Sequence, residues 1–256
     1  MSSTPPPTTA PPTTDELDEL EDEFGSELGD VDVDELPEPD GPPPEVVVFD
    51  IGEVLIDETR VWSCWAELLG VSSLEFAAVL GAAIVQGQGP EAVFEHVAPN
   101  VDWQAFIDEH ERRYGGFRPD DLYPDVGLCL AELRELGFRV LLAGNQPERR
   151  RRQLEALELG VDGIATSDEW EAEKPDTAFF EAVLRFADTT DPTDVLYVGD
   201  RVDNDILPAM DFGMGTCWIR RGPWGVLQEL PDDVQPDLVL DGLGELPLLL
   251  SQWRSG

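Results

Sequence analysis

Arginine occurs fifteen times in this chain and lysine once, at Lys174 in the segment EAEKPD. A lone ammonium in such a chain suits a place where a compact point charge faces carboxylates and a phosphate. Matching carboxylates stand elsewhere: Asp50 closes the apolar run VVVFD, and Asp200 and Asp205 lie in VGDRVDND. Carboxylates that converge raise one another's pKa unless a cation lies between them, and an all-oxygen set suits magnesium. One Asp at a strand end reads better as a helix cap or turn former. A set of them on one edge does not.

For these groups to meet, the elements that carry them must end on the same side of a sheet. Short β-branched runs at 46–49, 138–143, 162–166, 195–199 and 216–219 predict strands. Between them, Val126, Leu130, Leu133 and Leu136 fall at helical spacing and are followed by Gly137, a helix end. Leu154, Leu157 and Val161 repeat the pattern. Strand, helix, strand in alternation predicts an α/β fold, a doubly wound parallel sheet of Rossmann-like type. Asp50, then Gly144 with Asn145, then Gly199 with Asp200, stand at successive strand ends, where ligands of open parallel sheets bind. Residues 59–121 interrupt this rhythm with helical patterns such as WSCWAELLG and WQAFIDEHERRY, so a helical insert is expected there, with a core of 45–58 and 122–256.

Residues 1–44 are Pro/Thr-rich and then acidic, with too little apolar surface to offset the entropy of ordering, and are expected to form a disordered acidic tail. Its apolar-acidic stretch 15–28 leaves a partner for the tail open. The net charge is −39; residues 1–45 hold 15 acids and no Lys or Arg, which leaves −24 for the rest. Such a field repels nucleic acid and anionic membranes, so neither is an expected partner. It fits either a salt-rich cytoplasm or a moderately acidic protein with an acidic tail. Three scattered cysteines suggest neither disulfides nor zinc, and no leader or spanning segment is evident, which predicts a cytoplasmic protein.

FDIGEVLID, AGN, KP and VGDRVDND occur in the order and approximate spacing of the four motifs of the haloacid dehalogenase superfamily, which the chain resembles over residues 46–225. The resemblance implies that the insert is a helical cap, that Asp50 is a nucleophile forming an aspartyl-phosphate, and that Lys174 neutralises nucleophile and phosphate. It implies a magnesium site of Asp50, Asp200 and the Gly52 carbonyl, with Asp205 behind the metal. Gly144, Asn145 and Gln146 would receive the phosphate of a small phosphorylated metabolite. Two positions depart from the family. Gly52 stands where most phosphatases of this kind have a second Asp that serves as acid and base, a role worth about 10²–10⁴ in rate. Gly144 stands where a Ser or Thr hydroxyl is usual. Glu53 does not substitute for the missing Asp, because adjacent residues on an extended segment point to opposite sides. These departures favour a phosphate ester with a good leaving group, and keep a catalytically silent ligand-binding or partner-binding member as the alternative. The arginines of ERRRR (148–152), His96, His110, Trp62 and Trp65 read as ion-paired or packed residues.

Overall fold

The computed structural model describes residues 41–255. The expected tail lies outside the described residues up to position 40; Gly41–Pro44 run into the first strand, and Pro44 is buried.

Six parallel strands, β1 (Val46–Phe49), β2 (Arg139–Gly144), β3 (Gly163–Thr166), β4 (Val195–Gly199), β5 (Gly215–Ile219) and β6 (Leu238–Leu240), form one sheet in the order β3-β2-β1-β4-β5-β6. All four residues of β1 are buried, as a central parallel strand covered on both faces requires. Its register sets Phe49 beside Leu142 of β2 and Val198 of β4. That pairing puts Asp50, Gly144 and Asp200 at one carboxyl edge. On one face, Val46, Val48, Leu141 and Tyr197 pack against Phe179, Phe180 and Val183 of a helix at Thr177–Phe186.

Between β1 and β2 the chain forms α1 (Thr59–Leu69), α2 (Ser73–Val85), α3 (Glu91–Val97) and α4 (Ile107–Tyr114), followed by α5 (Val126–Glu135) on the sheet. Gly70, at φ 72°, ends α1 in the left-handed conformation that spares glycine a Cβ clash. The Ser72 side chain then accepts the Glu75 N–H at 3.1 Å and starts α2. The helical segment has its own core of Trp65, Phe76, Leu80, Ile84 and Phe94. Trp224, from α6 (Gly222–Leu227) beyond β5, enters that core and joins the segment to the sheet. Among the described residues no single helix is long and apolar enough to cross a membrane.

Candidate active site

Lys174 occupies the centre of the carboxyl edge. Its Nζ lies 2.7 Å from Asp50 Oδ1 and 2.6 Å from Asp205 Oδ1, and the residue is 4% exposed. Its loop is held by Asn145, whose side-chain Oδ1 accepts the Lys174 N–H at 2.8 Å and whose Nδ2 donates to the Lys174 carbonyl at 2.9 Å. Asn145 expected as a phosphate ligand therefore has its side-chain amide engaged in placing the lysine. Asp205 projects from the single π-helical turn Val202–Ile206 and also accepts the Arg201 N–H at 3.0 Å. Asp200 lies beside them, its Oδ2 buried without a hydrogen-bond partner.

Donor oxygens of Asp50, Asp200 and Asp205 all fall within 4.8 Å of one another. Three carboxylates against one ammonium leave two uncompensated negative charges in a buried place. Burial first, then Asp205 against the opposing Lys174 charge, pushes Asp50 up to about 6. Burial, Asp205, Asp50 and Glu53 together raise Asp200 well above the ordinary carboxylate value. Lys174 is raised too: burial opposes its charge, but the carboxylates of Asp205 and Asp50 more than offset that. This donor set, with an orphaned carboxylate oxygen, fits a hard divalent cation. The Gly52 carbonyl accepts the Val54 N–H at 2.6 Å and keeps a second lone pair.

Gly144 and Gly52 each lie against a carboxylate. A Cβ on Gly144 would meet Asp50 Oδ1 at 2.3 Å, so Asp50 fills the space a larger residue would take. A Cβ on Gly52 would meet Glu58 Oε1 at 2.7 Å. Glu58 is pushed up to about 8 by burial and then by the charges of Glu53 and Asp50. The segment after Asp50 is not extended, contrary to expectation: Glu53 adopts φ 54° and its N–H donates to the Ile56 carbonyl, closing a tight turn. The turn still engages Glu53 elsewhere. Its carboxylate accepts the Tyr123 hydroxyl at 2.6 Å and the Glu58 N–H at 3.3 Å, and burial pushes it up to about 7. Glu53, Thr59, Trp62, Ser63, Tyr123 and Gly222 line a cavity of about 280 Å³ under the helical segment.

Gln146, expected at the phosphate, accepts the Ser167 hydroxyl on its main-chain carbonyl at 3.4 Å, a contact that leaves its side chain uncommitted. The remaining charged and aromatic residues singled out in the sequence have packing or pairing roles. Arg149 and Arg150 pair with Glu111 and Arg151 with Glu155 and Glu169. His110 is buried, stacked on Trp65 at 4.3 Å, with Nε2 3.1 Å from the Val61 carbonyl. Glu58 and Arg221 were not legible as site residues. Arg221 binds both Asp125 oxygens at 2.9 Å and donates to the carbonyls of Glu53 and Val54, fixing the turn from 168 residues away in sequence.

The family model of haloacid dehalogenase-like hydrolases matches residues 44–213. The chain belongs to this family. The chain is 34% identical over 158 residues to a glyceraldehyde 3-phosphate phosphatase of Methanopyrus kandleri, covering 58% of this chain and 63% of that protein. It is 29% identical over 161 residues to the protein of the same name from Methanocaldococcus jannaschii, covering 61% and 67%. The matched stretch thus spans less than two thirds of the Methanopyrus protein. Among solved structures, the putative HAD-hydrolase YfnB of Bacillus subtilis gives a TM-score of 0.65 at 17% identity, covering 81% of this chain and 99% of that one. L-2-haloacid dehalogenase of Xanthobacter autotrophicus gives 0.60 at 18%, covering 81% and 98%. Identities this low speak for the fold alone.

Proposed function

We propose that this hydrolase is a magnesium-dependent, cytoplasmic phosphatase that removes phosphate from a small metabolite through an aspartyl-phosphate on Asp50. The observation that carries the reading is the buried Asp50–Lys174 pair at 2.7 Å beside Asp200, whose free oxygen faces no protein donor. Lys174 orients the Asp50 carboxylate and offsets charge on the phosphoryl group as the Asp50 oxygen attacks in line. Asp50, Asp200 and the Gly52 carbonyl would hold magnesium, with Asp205 behind it keeping Lys174 in place. Magnesium there supplies charge stabilisation for the phosphoryl oxygens. The helical segment 59–121 acts as the cap, and the cavity bordered by Trp62 and Tyr123 receives the organic part of the substrate. The names of the archaeal relatives make a triose phosphate the first natural substrate to try.

Hydrolysis of an activated aryl phosphate, with and without magnesium and at low and high potassium chloride, tests the reading beside Asp50→Asn. Turnover that requires the metal and disappears in the variant is the expected result. A folded wild-type protein with no turnover in either salt would sink the enzymatic reading and leave a ligand-binding role.

A further inference from the structure

Position 52 has no carboxyl, yet the volume a carboxyl there would fill is not empty. A Cβ built on Gly52 lies 2.7 Å from Glu58 Oε1 and 3.0 Å from Glu58 Cδ. The Glu58 carboxylate therefore stands where a side chain from position 52, two residues after Asp50, would project. It arrives there because the 51–58 segment folds back on itself: the Ile56 and Leu55 N–H groups donate to the Ile51 carbonyl at 3.0 Å, and the Glu58 N–H donates to Glu53 Oε1 at 3.3 Å. Among the described residues, the Glu58 carboxylate has no hydrogen bond or ion pair of its own, whereas its neighbour Glu53 is tied to Tyr123 at 2.6 Å. A larger residue at position 52 would require the Glu58 carboxylate to move from this place.

We propose that Glu58 is the general acid and base of this enzyme, a carboxylate delivered from the start of α1 in place of one at position 52. The inference rests on the phosphatase reading above. In the first half-reaction the Asp50 oxygen bonds to phosphorus and the ester P–O bond breaks, with the Glu58 proton passing to the leaving oxygen to give the alcohol. In the second, the Glu58 carboxylate takes a proton from water, whose oxygen bonds to phosphorus as the Asp50–phosphorus bond breaks. Inorganic phosphate, the Asp50 carboxylate and protonated Glu58 result.

The test compares an alkyl phosphate, glyceraldehyde 3-phosphate, with p-nitrophenyl phosphate in rapid-mixing experiments, with fold checked by circular dichroism. Glu58→Gln is expected to lower kcat on the alkyl ester by about 10²–10⁴. On the aryl ester it is expected to release about one equivalent of nitrophenol per site and then turn over slowly, because the leaving group needs no acid but hydrolysis of the intermediate still needs a base. Gly52→Asp placed in Glu58→Ala is expected to regain alkyl ester turnover over Glu58→Ala alone, which relief of a packing defect would not produce. That pair carries the test if Glu58→Gln does not fold. Unchanged kinetics of Glu58→Gln on both esters, or no gain from Gly52→Asp, would overturn the assignment while leaving Asp50 as nucleophile. Wild-type protein with no Asp50-dependent release from either ester would overturn both readings.

Discussion

At Asp200 the structure holds a carboxylate oxygen that is buried and unpaired, a group that costs stability when ionised without a partner. Its neighbours Asp50 and Asp205 already share the one available ammonium. Relief has two routes, a cation or loss of the charge, and they predict opposite behaviour for one substitution. Without metal, Asp200→Asn should melt at a higher temperature than wild type, because it removes like-charge repulsion. With magnesium the order should reverse, since binding at a hundred times Kd adds about 2.7 kcal/mol to wild type alone. Thermal melts in chelator and in magnesium read both; a wild type indifferent to magnesium would remove the metal assignment. The carboxylates and Lys174 were legible in the sequence because strand ends and a lone lysine are marked by position and composition. Glu58 was not, since it reaches the site through a turn whose path depends on φ 54° at Glu53, an uncommon conformation for a residue with a side chain. The engagement of Asn145 with the Lys174 main chain was also hidden, because it joins two loops 29 residues apart.

Among the elements, the central strands were legible because continuous β-branched runs buried on both faces are hard to read otherwise. The edge strand β6 was missed. It has three residues, and although their burial alternates, with Val239 exposed at the centre, all three are apolar, so the sequence carries neither length nor a polar-apolar alternation. The helical segment meets the sheet domain at a charge cluster that no sequence period announces: Glu111 of α4 binds Arg149 at 3.1 Å and Arg150 at 2.8 Å, both beyond β2. Burial pushes Glu111 up, but the His110 ring 3.8 Å away, the bond from Arg149 and the charge of Arg150 more than offset this and hold it at about 2, against an ordinary 4.5. A folded-state value below the unfolded one means the stabilisation is complete above about 4.5 and is lost as pH falls through about 2. Asp50 and Glu53, raised to about 6 and 7, work in the other direction, so the wild-type curve alone mixes signs. The difference between wild type and Glu111→Gln in urea midpoint isolates the pair. It should be constant from pH 6 to 5 and shrink steadily toward pH 2; a difference that does not narrow would mean the cluster adds nothing.

For the molecule as a whole, charge arithmetic outweighs any single pair. With 55 acidic residues and 16 basic ones, even perfect pairing leaves 39 carboxylates without a cation. Salt weakens both attraction within pairs such as Arg112–Glu109 and repulsion among the surplus. Exposed pairs are worth little, a median of about 0–1 kcal/mol, while repulsion acts between every pair of acids within a Debye length. That length falls from about 10 Å at 0.1 M to about 3 Å at 1 M, so screening should remove far more repulsion than attraction. The melting temperature should therefore climb continuously as potassium chloride rises from about 0.05 to 1 M, with the chelated protein used so that metal binding does not contribute. Sucrose at matched osmolality, which strengthens burial without screening, should give a smaller rise. Equal rises would assign the effect to solvent exclusion. A fall with salt would mean that the ion pairs, few as they are, hold the fold more strongly than the surplus charge opposes it.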